Sequence, residues 1–436
     1  MKKIYILPLL LLLSCLFEAI DIQAQRNEWV NQVIIVNGGK FESVPPLTDY
    51  VTVQKYDPVA HTVTVFDVIK TQSVQDVIVH DHFAYVAAQD SIIKYDIDTY
   101  ERVAAIADSG MAKLYMFGNK VLVSKQFPIK RFFLEVLDEN LSLLYRVQGI
   151  SDQCGGITSV GNAVFVAVNG GYAGTEGKLA RINSSNWSVM GESNFGPDAV
   201  GTWNVYPYDY KIYCVNRTPA GIPDQGSITV YDIYQDTFVN YLFGVNIGDG
   251  SGIKDNILYL KMNEGIGSFN LDTKQIVDTT IVPDPGSAAR NYILSSAVDY
   301  VNGYLYLNIG NRSTYGYGKI TNMAGDSIGS FTEGINADAI AIDYRTPVGV
   351  KPGQSNSDQI TIYPNPVYDL ITITLNNPGE VSVLKITDQT GRVILEKKPI
   401  GNEKTLSFDF SENPSGIYLV LLTTENGIIT GKFIKR

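Results

Sequence analysis

Apolar residues along most of this chain come in short runs separated by turn-forming residues, with no stretch of helical periodicity long enough to organise a domain. Within residues 73–107, the segments VIVHD, FAYVAA, SIIKYD and ERVAAI are such runs, rich in Val, Ile and Tyr and bounded by Asp, His and Gln. Short β-branched and aromatic runs with this punctuation predict four β-strands in succession. The third run ends in Tyr95-Asp96, and an apolar residue followed by Asp or Asn recurs at Tyr56-Asp57, Leu137-Asp138, Ile182-Asn183, Tyr231-Asp232 and Phe269-Asn270, and loosely at Ile320-Thr321-Asn322. The copies lie roughly 40 to 50 residues apart, the period of a four-stranded propeller blade. A side-chain oxygen at that Asp or Asn can accept a backbone N–H two residues on, closing the turn into the outermost strand.

Seven blades follow from this repeat, with second and third strands expected at 32–36 and 51–56, 84–88 and 92–96, 121–125 and 132–138, and 164–169 and 178–183. The series continues with 212–216 and 227–232, 257–262 and 266–270, and 304–309 and 318–320. The first blade lacks an inner strand on its N-terminal side, while ADAIAIDY at 337–344 is a surplus strand after the last blade. Assigning it to the first blade closes the ring and removes a sheet edge that would otherwise template aggregation.

The texture changes at both ends. Lys2 and Lys3 precede an apolar run at 4–17, and Ala24 offers a small residue at a cleavage point, so residues 1–24 read as a secretory signal peptide. Residues 25–346 hold the repeats, and PVGVKPGQSNSDQ at 347–359 is a Pro/Gly/Ser/Asn linker. Residues 360–436 predict short alternating strands joined by turns such as Gln389-Thr390-Gly391-Arg392, a small Ig-like β-sandwich. The expected class is therefore all-β, a seven-bladed β-propeller followed by that sandwich.

Composition narrows the function. The formal charge of −11 lies in the repeat region and linker, because the charges of residues 1–24 and 359–436 cancel. Such a body is repelled by nucleic acid and anionic lipid, so neither is expected as a partner. Beyond the signal only Cys154 and Cys214 remain, in different blades, and they are expected as two separate buried thiols. The three histidines, His61, His80 and His82, fall in turns. His80-Asp81-His82 has metal-ligand types but sits on the face opposite the long loops. Expected channel residues Asp76, Gln153, Asn204, Ser251 and Asp338 form no histidine set, glutamate pair or nucleophilic triad, and no Gly-Lys-Ser/Thr phosphate loop occurs. No cofactor is expected and the residues favour a non-catalytic role.

In a four-stranded meander, the turns between second and third strands share a face with the links between blades. The long insertions, at 37–50, 170–177, 217–226 and 310–317, and the links at 194–203 and 283–292 all fall there. Loop elaboration on one face of a rigid scaffold marks a binding face. These segments carry Phe41, Tyr172, Trp203, Arg217, Arg290, Arg312, Tyr315 and Tyr317. Aromatic rings with arginines suit stacking on sugars or gripping a peptide, although Tyr and Gly also serve as loop fillers and Trp203 also suits packing between blades.

Two resemblances extend this reading. AYVAAQDSIIKYDIDT and IYCVN...GSITVYDIYQDT resemble the secreted propellers of the surface-layer or YVTN-repeat type, with Tyr85-Val86-Ala87-Ala88 and Tyr213-Cys214-Val215-Asn216 in place of the literal tetrapeptide. That resemblance implies a fold and no particular activity. YPNPVYD...ITL, ITDQTGRVI, PSGIYLV and the final GKFIKR resemble the type A C-terminal sorting domain of the type IX secretion system, across residues 360–436. Tyr363, Pro364, Asn365, Pro366, Gly391, Gly416, Tyr418 and Lys432 match its motif positions. The resemblance implies recognition by the type IX translocon at the outer membrane and removal by a sortase-like peptidase, in a Bacteroidetes-type bacterium. Leu12-Leu13-Ser14-Cys15 also resembles a lipoprotein box, with Leu13 a poor fit. The expected function is an exported cell-surface or secreted propeller that recognises a glycan or peptide. The alternatives are a metal-assisted lyase or lactonase in the channel, or a structural envelope protein.

Overall fold

The computed structural model describes residues 28–42, 47–128, 131–217, 225–286, 291–346, 360–375, 381–389, 391–398, 403–424 and 427–436. The expected signal peptide, the expected linker and Arg290 lie outside them. The chain divides into two compact units, before and after the Thr346–Pro347 bond.

The first unit contains seven antiparallel four-stranded sheets among the described residues. Six are meanders of consecutive strands, for example Asp76–His80, Phe83–Ala88, Ser91–Asp96 and Glu101–Ala107 in the second blade. The first blade instead joins Ala339–Arg345 to Trp29–Asn37, Val51–Asp57 and Thr62–Ile69. Val33 pairs with Ile342 and Ile35 with Ile340, so the surplus strand closes the ring as its position implied. The inner strands of the other blades are Met111–Phe117, Cys154–Val160, Thr202–Tyr208, Ile247–Lys254 and Tyr292–Asp299. Each inner strand contacts the next, and Ala339–Arg345 contacts Asp76–His80 to complete the circle.

Seven apolar clusters hold the described ring together, one between each pair of adjacent blades. Ile34 and Val53 meet Val86 and Tyr95 between blades one and two, and Tyr56 and Ile35 meet Tyr306 and Phe331 between blades one and seven. A sheet sandwiched between two others is buried on both faces, so second strands such as Phe83–Ala88 are apolar nearly throughout. The outermost strands, such as Glu101–Ala107, are largely exposed and mixed. Cys154 and Cys214 are buried and free, in separate clusters. Burial pushes both thiols up, which leaves them inert.

The recurring Asp or Asn does what its spacing implied in all seven blades. The Oδ1 atoms of Asp57, Asp96, Asp138, Asn183, Asp232, Asn270 and Asn322 each accept a backbone N–H two residues on, at 2.8 to 3.0 Å. Several strand starts differ from expectation, among them Trp29 in place of 32 in blade one and two third strands. The third strand of blade three begins at Leu134, and that of blade seven at Tyr315, ahead of the expected 318. Gly316 and Gly318 hide the blade-seven strand from a hydrophobicity pattern. A Cβ on Gly318 would lie 2.0 Å from Phe331 Cε2, so glycine is the residue that admits the Phe331 ring there.

The second unit packs Ile360–Tyr363, Leu370–Leu375 and Thr405–Asp409 as one sheet, and Val393–Lys397, Val381–Asp388, Gly416–Thr424 and Gly427–Lys435 as another. Ile371, Ile373, Leu384, Val420, Phe410 and Phe433 share the core of this small sandwich.

Candidate functional site

Backbone hydrogen bonds fix which loops share a face. Ser73 N donates to Gly38 O, Gln126 N to Gly110 O, Gly226 N to Val245 O, and Asp284 N to Glu264 O. Each bond joins a turn between second and third strands to a link between blades, so the two kinds of segment form one face. Buried polar side chains at the ends of second strands anchor it. Asn216 Oδ1 accepts from Thr202 Oγ1 at 2.7 Å while its Nδ2 donates to Thr229 Oγ1 at 2.8 Å. Asn37 Nδ2 donates to Gln54 Oε1 at 3.1 Å, and Lys125 is paired with Asp108 and Glu135.

On this face a cleft of about 520 Å³ opens over blades five to seven, lined by Arg217, Lys261, Tyr292, Arg312, Asp249 and Asp338 together with Asn246, Asn263 and Asn311. It shares Asp249, Lys261, Ile293, Leu294 and Asp338 with a narrower cavity of about 260 Å³ between the inner strands. The cleft is therefore the mouth of the central channel. Inside, Lys113 Nζ stands 3.7 Å from Asp76 Oδ1 and 3.6 Å from Asp249 Oδ2. Lys113 belongs to blade three and Asp249 to blade six, so this ion pair spans the channel. Burial opposes the Lys113 ammonium, but Asp249 and Asp76 outweigh it and hold its pKa above the ordinary value. Burial raises the Asp76 carboxyl despite Lys113 and the Leu114 N–H that bonds its Oδ2 at 2.8 Å. Asp338 is likewise raised by burial, opposed by Arg312 and by the Asn336 amide at 2.7 Å from its Oδ2.

Two arginines stand at the mouth. Arg217 follows the second strand of blade five, and its guanidinium carbon lies 5.1 Å from the Trp203 ring centroid. Its amide donates to Gly201 O, and Gly201, at φ +68°, approaches so closely that a Cβ there would lie 2.4 Å from Arg217 O. Arg312 sits in the turn after Tyr304–Gly310, where Asn311 Oδ1 accepts the N–H groups of Ser313 and Thr314 at 2.8 and 2.9 Å and fixes the turn. Lys261 donates to Ile293 O at 2.6 Å and lies 3.4 Å from Asp284.

The structure brings some of the expected residues together and separates others. Arg217 and Arg312 line one cleft, with Trp203 under Arg217. Trp203 belongs to the inner strand Thr202–Tyr208, and Tyr315 and Tyr317 to the strand Tyr315–Asn322, where loops were expected. Phe41, Tyr172, Tyr315 and Tyr317 are exposed and do not line the cleft. Asp76, Asn204, Ser251 and Asp338 line the narrower cavity, whereas Gln153 does not. Sequence reasoning missed Lys113, Asp249 and Lys261. Inner strands at intervals of one blade were the available signal for Lys113 and Asp249, since all seven contribute residues to the cavity lining, whereas Lys261 lies on the second strand of blade six.

His80 ends the strand Asp76–His80 and Asp81 opens the turn after it, both exposed, and His61 Nδ1 bonds the Tyr56 hydroxyl at 2.9 Å. Among the described residues no three His, Cys, Asp or Glu side chains are grouped to hold a metal ion.

In the second unit, Asn365 bridges the YPNP segment to the last strand, its Oδ1 accepting Ile434 N at 3.0 Å and its Nδ2 donating to Lys432 O at 3.3 Å. Tyr363, Pro364 and Lys432 are exposed, while Pro366 is half-buried. Tyr418 is buried against Phe433, its hydroxyl donating to Pro414 O at 2.7 Å just before Gly416. Gly391, at φ +83°, closes a turn by donating to Asp388 O at 3.0 Å.

Residues 361–436 match the family described as secretion system C-terminal sorting domain. That domain marks a chain exported to the cell surface or extracellular space by the type IX machinery. No curated protein matches this chain. Among solved structures, hydrazine synthase from Kuenenia stuttgartiensis is 12% identical with a TM-score of 0.51, over 62% of this chain and 89% of that one. BamB from Moraxella catarrhalis is 10% identical with a TM-score of 0.41, over 78% and 94% of the two chains. At such identity the likeness to hydrazine synthase speaks for the propeller fold alone.

Proposed function

We propose that this exported chain is a non-catalytic recognition protein whose propeller binds a glycan or peptide in the cleft at the channel mouth. The cleft carries the reading: its volume falls in the range of ligand sites, and it presents guanidinium groups, amides and carboxylates from rigid strand ends. The Lys113–Asp249 pair crosses the channel beneath it, which suits binding and release at the mouth better than passage. In the same reading, residues 1–24 carry the chain across the inner membrane and the C-terminal domain engages the translocon and a sortase-like peptidase. The propeller then remains at the surface or is released, in a Bacteroidetes-type bacterium.

The lyase or lactonase alternative rests on Asp76, Asp249 and Asp338 near the channel. Two of these carboxylates already face the Lys113 ammonium, and that internal countercharge favours the binding reading. Thermal unfolding of the full chain against polysaccharides, peptides and divalent metals, with a chelator arm, is the test, because a ligand that binds only the folded state raises the midpoint. A rise with a glycan or peptide that is reduced in Trp203→Ala is expected. A chelator-sensitive rise with metal would replace this reading by the enzyme, and a flat panel by a structural envelope role.

A further inference from the structure

We infer that the ligand of the channel-mouth cleft is an acidic saccharide, a chain whose sugar rings carry carboxylate or sulfate groups. The inference rests on the recognition reading above and narrows it. Among the described propeller arginines, Arg102, Arg146, Arg181 and Arg345 each face a carboxylate within 3.7 Å. Arg131, Arg217 and Arg312 pair with no described carboxylate, and the last two line the same cleft. On a chain of net charge −11, two guanidinium groups in one cleft that form no close ion pair, Arg312 feeling the Asp338 charge only at longer range, are an uncommon concentration of positive charge. Their fork of N–H donors matches a carboxylate or sulfate, and stacking on Trp203 holds the Arg217 plane in place.

The same cleft also presents Asp249 and Asp338, which accept hydrogen bonds and repel anions. A ligand of anionic groups alone, such as an acidic peptide, would bring its charge against both. A uronic acid or sulfated sugar satisfies the two kinds of group together, giving its anion to the arginines and its hydroxyl protons to the carboxylates.

The experiment is titration calorimetry of the full chain with tetragalacturonate and a sulfated tetrasaccharide, against maltotetraose as the neutral control and tetraglutamate as the acidic peptide. At least one acidic saccharide should bind about tenfold or more tighter than maltotetraose and weaken as salt is added. Arg217→Gln and Arg312→Gln should each weaken it about tenfold, with Arg→Lys at either site recovering part of the loss and unchanged thermal midpoints showing that the variants fold. Equal binding of maltotetraose, insensitive to both glutamine variants, would overturn the acidic assignment and leave glycan recognition standing. Tighter binding of tetraglutamate would overturn the saccharide assignment and leave peptide recognition standing. Binding of none of the four would overturn this inference, and a flat thermal panel beside it would remove the recognition reading as well.

Discussion

Glu333 lies on the outermost strand of blade seven, Ser327–Ile335, with only 6% of its surface exposed, and neither carboxyl oxygen has a hydrogen-bond partner. Burial pushes its pKa from 4.5 up to about 9, a rise that the nearby Ile309 N–H offsets only in part. The unfolded chain releases this proton near the ordinary carboxyl value, whereas the folded propeller keeps it until the pH nears 9. Between those limits the unfolded state binds fewer protons, so stability falls as pH rises. One proton contributes a slope of about 1.4 kcal/mol per pH unit, or roughly 4 kcal/mol between pH 5 and 8. Glu333→Gln keeps the shape and removes the titration. Urea unfolding of the full chain and the variant, followed by tryptophan fluorescence across that pH range, isolates the term because other titrating groups cancel. The two stabilities should nearly coincide at pH 5, with the variant ahead by a few kcal/mol at pH 8. Parallel pH profiles would refute the claim that a buried neutral carboxyl is held there.

Four further outcomes test the structure. Gly318→Val forces a side chain into the Phe331 ring and should lower stability by about 1–3 kcal/mol, read as a lower thermal midpoint. Lys113→Met leaves Asp76 and Asp249 without their cation and should destabilise by roughly 1–3 kcal/mol, less than a fully buried pair because the lysine is 26% exposed. The loss should shrink when Asp249→Asn is added, and an additive double mutant would show that the pair does not span the channel. Native protein should leave Cys154 and Cys214 unmodified by a thiol reagent, with both reacting after denaturation. Asn365→Ala removes both side-chain bonds to the last strand and should cost about 1–2 kcal/mol in the C-terminal sandwich, with a fall in exported chain detected by surface labelling.

Much of this protein is legible before folding because its repeat is local. The Asp or Asn that closes each third-to-fourth turn bonds backbone two residues away, so residues such as Asp96 and Asn270 announce their turns from neighbours in sequence. The surplus strand at 337–344 is legible for a related reason, since a ring with one strand too few at its start and one too many at its end has a single economical closure. The YPNP and GKFIKR segments are likewise readable because a family pattern lies in contiguous residues. The strand bearing Tyr315 and Tyr317 was hidden, because Gly318 makes room for the Phe331 ring of the neighbouring strand, Gly316 lies close to Ile309 O and the Glu333 carboxyl, and neither glycine carries a pattern of its own.

The candidate site belongs to the second category. Sequence alone placed Arg217 and Arg312 on the long-loop face, but nearly one hundred residues separate them, and only the curvature of the ring sets them around one cleft. The Lys113–Asp249 pair crosses from blade three to blade six, a contact that depends on the diameter of the closed ring. Local chemistry, then, determined the strands, the turns and the export domain, because their partners lie within a few residues. Ring closure decided which charges meet, because opposite blades approach one another only once all seven sheets have packed.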